Sequence, residues 1–412
     1  MKTELNKKTA LLTVFLVVLV DLMGFGIVLP LLPFYASKFE ASPVVIGLLY
    51  SVYSFAQLIF SPIWGGWSDR VGRRPIMLMS TLGSVLSYLI FAFSHSLGLL
   101  FISRLLAGIM GGNISTAQAY VADVTTEENR AKGMGLIGAA FGIGFVLGPA
   151  LSSLLILPAV QQALSQSALP GAAFAAANKF FLPGLIAALL SLTSFVLVVF
   201  KLPETVHGSV AADPSRVQRS SIFSVRFWSG LSGSGLLPLF FLSTLILSLG
   251  QSSLYSAFPL FCKKTLSMPP EKVGLLFVWM GVVTVLVQGG AIRPLVKRFG
   301  EKKLFLAGNL LLMLGLAVLP FASTEKMLAA ALALMGLGAS LNGPTLISLI
   351  SKTAPPKEMG RTLGSSQGLS ALGRVIGPTW GGWLFSFSPK APFLMTAGVV
   401  FVTALIGFYI QD

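Results

Sequence analysis

Long apolar runs separated by short polar segments fill almost all of this 412-residue chain. A bilayer core is about 30 Å thick, and a helix needs roughly 20 mostly apolar residues to cross it. We predict twelve such helices, spans 1 to 12. They lie near residues 10–34, 44–64, 75–94, 97–120, 134–157, 180–202, 235–261, 273–292, 302–321, 325–350, 363–387 and 391–410.

One long polar segment interrupts the series. Residues 203–233 hold Pro, Ser, Asp and three Arg without a sustained apolar run, as expected of a connector. Six predicted spans lie on each side of it. We therefore predict an N-terminal six-helix bundle at 1–202, a cytoplasmic linker at 203–233 and a C-terminal six-helix bundle at 234–412.

The two halves resemble each other in sequence. A shift of 228 positions places Gly72 on Gly300, each within a basic cluster, and a shift of 229 places Pro149 on Pro378. Matches in the same order and at nearly constant spacing indicate an internal duplication. The expected fold is an all-α membrane protein with twelve transmembrane helices in two pseudo-symmetric six-helix bundles.

Composition and charge agree with a membrane location. The chain is 54% hydrophobic and 10% charged, whereas a soluble domain has about 25% charged residues. If the N-terminus is cytoplasmic, the cytoplasmic segments carry 20 of the 29 Lys and Arg, the outer loops carry 7, and Arg104 and Arg374 lie inside spans. This bias predicts that both termini are cytoplasmic in an inner or plasma membrane. The net charge of +15 is then a topology signal in contact with lipid headgroups, and no basic stripe with interleaved aromatics indicates nucleic-acid binding.

The predicted loop between spans 2 and 3 carries a motif, and the glycines of this motif suit a tight turn. Its residues are Gly65, Asp69, Arg70, Gly72, Arg73 and Arg74. They resemble the major facilitator signature G-x-x-x-D-R-x-G-R-R at every specified position. A degenerate copy, Arg293 to Lys303, has Lys297 in place of the aspartate. The resemblance implies the major facilitator fold.

The same resemblance implies a role for three charges. Asp69, Arg73 and Asp123 match a family cluster that latches the cytoplasmic side in the outward-facing state, with the aspartate of the signature meeting the N-terminal end of span 11. The alternative is that these residues form only a turn and a topology anchor.

Glycine and proline recur in spans 5 and 11. Span 5 has Gly144, Gly148 and Pro149, and span 11 has the complete G-x-x-x-G-P-x-x-G-G pattern of the family's antiporter motif at Gly373, Gly377, Pro378, Gly381 and Gly382. Small residues let two helices approach closely, and proline bends a helix. The alternative is helix packing without a role in coupling.

Span 1 contains one carboxylate. Of 14 Asp and Glu, 13 lie in loops, at termini or at span ends, and Asp21 lies well inside a span. The sequence Asp21-Leu22-Met23-Gly24-Phe25-Gly26 is similar to the first helix of the twelve-span drug/proton antiporters, which include tetracycline exporters. Spans 3 and 9 have no acidic residue, unlike tetracycline exporters.

Arg104 begins an R-x-x-x-G element of the same family in span 4. A charge inside a span is costly and usually faces the bundle interior with a partner. We predict that Asp21 and Arg104 couple transport to protons. The alternatives are that Asp21 is a permanently ionised partner of Arg104, or that its carboxylate is satisfied by backbone hydrogen bonds.

A substrate cavity needs polar side chains inside spans. We expect some of these to line it, although interhelical hydrogen bonds explain each one equally well. The candidates are Asn113, Gln251, Tyr255, Asn342 and Arg374.

Together these features predict a secondary transporter that exports amphipathic small molecules or drugs in exchange for protons, with a proton symporter or a uniporter of a metabolite as the alternative. His95 and His207 lie in predicted loops on opposite sides, and the lone Cys262 offers no metal cluster. No motif of an ATPase, serine hydrolase or zinc protease occurs. We therefore expect no enzyme activity and no cofactor, and a monomer with small-molecule substrate, protons and membrane lipids as partners.

Overall fold

The computed structural model describes residues 2–166, 178–205, 235–354 and 359–410, and every regular element within these ranges is helical. Residues 206–233 of the predicted linker, including His207, lie outside the described residues. So do residues 167–177 between spans 5 and 6, where the short helix Pro158–Ser165 precedes the gap.

In the described part of the chain, eleven helical segments are long and apolar enough to cross a membrane. The remaining predicted span, span 11, is the helix Met359–Phe387, in which frequent Gly and Ser and a central Arg374 lower the mean hydropathy. The other eleven are Thr9–Ser37, Pro43–Val71, Arg73–Ala92, Leu97–Val124, Lys132–Leu155, Phe181–Lys201, Leu237–Leu266, Pro270–Phe299, Glu301–Phe321, Glu325–Thr353 and Ala391–Tyr409. Each predicted span thus corresponds to a helix.

The helices belong to two compact units. The first unit comprises Met1–Glu40, Val52–Val217 and Pro270–Leu275. Its core is a buried cluster from spans 1, 3, 4, 5 and 6 that includes Val17, Met77, Tyr120, Ile137 and Val198.

The second unit comprises Ala41–Ser51, Gln218–Pro269 and Leu276–Asp412. Its core draws on spans 7, 9, 10, 11 and 12 and includes Phe240, Phe305, Ile350, Leu369 and Ile406.

Three spans change helix type part-way along. Span 1 is interrupted between Val28 and Leu32, where Pro30 lacks a backbone donor. Span 4 has a 3₁₀ turn at Gly111–Asn113, and span 8 has a π-turn at Val287–Ala291. Both of these turns contain two adjacent glycines.

The turn between spans 2 and 3 is shorter than the sequence suggested. The motif segment was expected to form a loop from Gly65 to Arg74, but the helix of span 2 continues to Val71 and the next begins at Arg73. Trp64 and Trp67 stack within this helix, with their ring centroids 5.7 Å apart. Gly72 alone makes the turn, with φ 109°, a value suited to glycine.

Glycine allows close helix crossings in both units. A Cβ on Gly148 of span 5 would lie 2.6 Å from the Cα of Gly26 in span 1. In the second unit a Cβ on Gly373 would lie 2.8 Å from the backbone nitrogen of Leu249 in span 7. The predicted close packing of these motifs is therefore present, with Pro149 and Pro378 inside continuous helices.

Candidate functional site

Asp21 lies near the middle of span 1 and is partly buried. The side-chain Nδ2 of Asn113 in span 4 donates a hydrogen bond to Asp21 Oδ2 at 2.7 Å. The second carboxylate oxygen, Oδ1, is buried and has no hydrogen-bond partner among the described residues. One oxygen of the acid is thus held while the other is left without a donor.

Asn113 is presented by the 3₁₀ turn of span 4. The turn packs against span 2, because a Cβ on Gly112 would lie 2.7 Å from Cδ1 of Trp64. Gln57 of span 2 donates through Nε2 to the carbonyl oxygen of Gly111 at 3.0 Å. Contacts with span 2 therefore stabilise the 3₁₀ turn. They do not use the Asn113 amide, which bonds to Asp21.

Arg104 of span 4 is buried near the same region, and only 2% of its surface is exposed. Its guanidinium carbon lies 5.2 Å from the ring centroid of Phe91 and 5.9 Å from that of Tyr88. The Tyr88 hydroxyl in turn lies against Gly24, one helical turn after Asp21. Tyr88 therefore contacts both elements that carry the predicted coupling residues, whereas the hydrogen-bond partner of Asp21 in the structure is Asn113.

Aromatic rings line the next turn of span 1. Phe25 lies 4.9 Å from Tyr53 of span 2 and 5.9 Å from Phe145 of span 5, measured between ring centroids. An acid beside flat apolar surfaces can meet both a proton and an amphipathic molecule.

The predicted latch residues meet at Arg73. Its Nη1 lies 2.5 Å from Asp69 Oδ1 and 2.7 Å from Ser68 Oγ, and its Nε lies 3.0 Å from Asp123 Oδ2. The Arg73 side chain is only 9% exposed. Arg70 is exposed, and Arg74 donates through Nη2 to the Val199 carbonyl at 2.6 Å. The structure therefore gathers the three charges of the cluster in one place within the first unit.

Glu204 completes this cluster and was not among the predicted site residues. Its two carboxylate oxygens accept hydrogen bonds from the backbone N–H groups of Arg73 at 2.9 Å and Arg74 at 3.1 Å. These are the first residues of span 3, where a carboxylate satisfies donors that the helix leaves unpaired. Thr205 next to it donates to Asp123 Oδ2 at 3.1 Å. The signal in the sequence was an isolated acidic residue just after span 6, but this residue was assigned to the predicted linker.

The second unit contains a cavity of about 320 Å³ lined by spans 7, 8, 9, 10 and 11. Four of the five predicted cavity residues line it, namely Gln251, Tyr255, Asn342 and Arg374. The fifth, Asn113, lies in the first unit beside Asp21. A cavity of this size suits a small organic molecule.

Asn342 also belongs to a buried polar network. Its Nδ2 donates to Asn309 Oδ1 at 3.0 Å, and the Thr403 hydroxyl donates to the same oxygen at 2.9 Å. These bonds join spans 9, 10 and 12. Asn342 therefore both bonds to a neighbouring helix and lines the cavity.

The family model described as Major Facilitator Superfamily matches residues 14–292 and 240–412. The chain belongs to the Major Facilitator Superfamily. Two relatives span nearly all of it. The tetracycline resistance protein of class E from Escherichia coli is 30% identical over 90% of this chain and 89% of its own. Multidrug resistance protein 2 from Bacillus subtilis (strain 168) is 29% identical over 98% and 96%.

Solved major facilitator structures share the fold. The nucleoside transporter NupG has a TM-score of 0.77 at 13% identity and covers 98% of this chain and 100% of its own. The human organic anion transporter MFSD10 has a TM-score of 0.68 at 24% identity and covers 97% and 99%. The predicted fold is confirmed, and this major facilitator is a multi-pass integral membrane protein and a secondary transporter.

Proposed function

We propose that this transporter exports amphipathic small molecules in exchange for protons, and that Asp21 carries the proton. The proposal rests on the Asp21 carboxylate, which has one oxygen bonded by Asn113 at 2.7 Å and the other buried without a partner in the described residues. Asp21 is also the carboxylate that lies well inside a predicted span.

The chemistry of proton exchange follows from this arrangement. An ionised carboxylate with a buried, unpartnered oxygen is costly, whereas a proton on Oδ1 removes the charge. Asn113 can donate to Oδ2 in both states, so the side chain keeps its position as it titrates. If the site alternates between the two sides of the membrane, one carboxyl group can take a proton from one side and release it to the other.

Arg104 adds a fixed positive charge to the same unit. Its guanidinium lies over Tyr88 at 5.9 Å, and the Tyr88 hydroxyl lies against Gly24 near Asp21. An ionised Asp21 interacts with that charge more strongly than a neutral one. We therefore assign Arg104 the role of tuning the proton affinity of Asp21 through the positive charge that it adds beside Tyr88.

The names of the relatives support export. Proteins that match about nine-tenths or more of this chain are named for resistance to tetracycline or to multiple drugs. A transporter that removes amphipathic compounds from the cell accounts for such names. Tetracycline itself is not assigned, since spans 3 and 9 of this chain have no acidic residue in their interior, and Glu301 lies at the first position of span 9.

The charge cluster around Arg73 is assigned the role of a cytoplasmic latch. Asp69 and Asp123 hold the guanidinium from two sides, and Glu204 holds the backbone of the same turn. A charge network around a buried guanidinium at a helix junction can be formed or broken, which suits a part that must open and close in each cycle. The alternating-access cycle itself is what the family resemblance implies.

We further propose a cytoplasmic or plasma membrane location, with both termini cytoplasmic and a monomeric protein. Orientation is testable with cysteines in a Cys262→Ser background. His95→Cys should react with an impermeant maleimide added outside cells, and Lys297→Cys should react only after permeabilisation. Both positions are exposed. The reverse pattern would overturn the orientation.

Proton-coupled export is tested by reconstitution. The purified transporter is placed in liposomes that contain a pH-sensitive dye, and a panel of amphipathic compounds is added one at a time. We expect at least one compound to be transported with a proton flux in the opposite direction, and a collapse of accumulation when the proton gradient is dissipated. Transport of compounds without any proton movement would contradict the proposal.

A further inference from the structure

We infer that the substrate of the second-unit cavity is an amphipathic organic anion, whose carboxylate or similar acidic group binds Arg374. This inference deepens the proposed export function and rests on it. It names a chemical class of substrate that the motifs and the names of the tetracycline and multidrug resistance relatives leave open.

The cavity has a positive electrostatic character. Arg374 is the charged side chain of its lining, and the other lining residues, all in the described part of the chain, are neutral. By sequence, the acidic residues from residue 235 onward lie between spans or at their ends. They are Glu271, Glu301, Glu325, Glu358 and Asp412. A cationic substrate would therefore meet a like charge and no carboxylate among the lining residues, whereas an anion would meet an opposite charge.

The position of Arg374 is supported by neighbouring hydroxyl groups. Its Nη1 donates to Ser370 Oγ at 3.1 Å, one turn earlier in span 11. Ser248 of span 7 donates to the Ser370 carbonyl at 2.6 Å, and the two serine hydroxyls lie 3.3 Å apart. A guanidinium supported in this way is oriented before a ligand arrives. Its planar fork of donors suits two-point binding of a carboxylate.

The rest of the lining suits an amphipathic body. Met280, Leu312 and Met335 present apolar and adaptable surface, and Gln251 and Gln367 present amides that can accept or donate. Gln288 enters the cavity from the π-turn Val287–Ala291 of span 8. Such turns are rare and often occur at functional sites.

The test compares three probes with one ring system and different charge. They are 2-naphthylacetic acid, 2-naphthylacetamide and 2-(2-naphthyl)ethylamine. Binding to the purified transporter in nanodiscs is measured by titration calorimetry at neutral pH, with empty nanodiscs subtracted for partition into lipid. We expect the acid to bind about tenfold or more tightly than the amide, since hydrogen bonds to charged groups are worth more than neutral ones. The amine should bind more weakly than the amide. An acid that binds no more tightly than the amide, including no binding at all, would overturn the proposal.

Variants at one position separate charge from shape. Arg374→Gln should weaken binding of the acid by about tenfold to a hundredfold and leave the amide unchanged, which also reports that the cavity is intact. Arg374→Lys should keep part of the preference. Equal affinity of Arg374→Gln and wild type for the acid would contradict the assignment.

Two separate measurements on the wild-type transporter distinguish this inference from the proposed function. Binding of the acid in nanodiscs reports the anion site, and proton flux in liposomes reports the coupling. If the acid binds through Arg374 but moves without protons, proton coupling fails and the anion site stands. If protons move with another substrate and the acid does not bind, the anion site fails and the coupling stands.

Discussion

Glu204 accepts a hydrogen bond from the backbone N–H of Arg73 at 2.9 Å, although 131 positions separate the two residues. The bond joins the end of span 6 to the first turn of span 3. Arg73 is also the centre of the Asp69 and Asp123 ion pairs. The same acid that caps the helix therefore fixes the backbone from which the latch arginine projects.

Glu204→Gln should lower stability. The amide has one acceptor oxygen and no charge, so one of two bonds to the helix N-terminus is lost, and loss of a capping group costs about 0.5–2 kcal/mol. Thermal unfolding of the purified transporter measures the effect. Glu40→Gln, a neutralisation at an exposed loop position, is the matched control and should leave the midpoint unchanged. Equal midpoints for the two variants would contradict the capping role.

Gly72→Ala should be more harmful than Gly300→Ala. Both glycines have positive φ, 109° and 78°, so both substitutions strain the backbone by about 1–3 kcal/mol. A Cβ on Gly72 would also collide with the Glu204 carboxylate, whereas Gly300 has open space around its Cβ position. The difference between the two unfolding midpoints isolates the collision. A larger loss for Gly300→Ala would be inconsistent with this geometry.

Gly148→Val tests the crossing of spans 1 and 5. Its side chain would lie against the backbone of Gly26, and overpacking of this kind costs about 1–3 kcal/mol. Gly138→Val on the same span is the control, because nothing lies within 4 Å of a Cβ there. The midpoint of thermal unfolding and the substrate flux should both fall for Gly148→Val and stay near the wild-type values for Gly138→Val. Equal tolerance of valine at both positions would rule out a close crossing.

Asp69→Asn should weaken the proposed latch. Arg73 keeps Asp123 but loses its bond to a charged Asp69, and a charge-assisted hydrogen bond of about 1.5–3 kcal/mol corresponds to about a ten- to hundredfold change in population. Gly343→Cys in a Cys262→Ser background reports how readily a thiol reagent reaches the cavity, because Gly343 lines the cavity and has open space around its Cβ position. We expect faster labelling from the cytoplasmic side. Labelling at the wild-type rate would argue against a latch.

The spans could be predicted from sequence because their signal is strong and local. Each run of about 20 apolar residues has one stable solution in a bilayer, a helix that satisfies its own backbone. Gly72 could also be predicted as a turn residue. The length of the turn could not, because the N–H groups of Arg73 and Arg74 that begin the next helix are bonded by Glu204, which is distant in sequence.

The partners of the site residues could not be read from sequence. Asp21 and Asn113 are 92 positions apart, and their hydrogen bond depends on the 3₁₀ turn of span 4. Asn113 was expected in a substrate cavity, but nothing local distinguishes an amide that binds a carboxylate from one that meets a ligand. The role of Glu204 could not be predicted for a similar reason, since the helix N-terminus that it caps is distant in sequence.

The central claim is that one carboxyl group, Asp21, couples transport to the proton gradient. One charge moved across 100 mV is worth about 2.3 kcal/mol, which corresponds to about fiftyfold accumulation of substrate. Asp21→Asn preserves the shape of the side chain and removes its titration, whereas Asp21→Glu keeps a carboxyl group. The informative measurement is uphill substrate accumulation in liposomes with an imposed pH gradient, beside exchange of labelled for unlabelled substrate without a gradient. We predict that Asp21→Asn retains exchange but loses uphill accumulation, and that Asp21→Glu retains part of both. Uphill, pH-driven accumulation by Asp21→Asn at the wild-type rate would contradict the account.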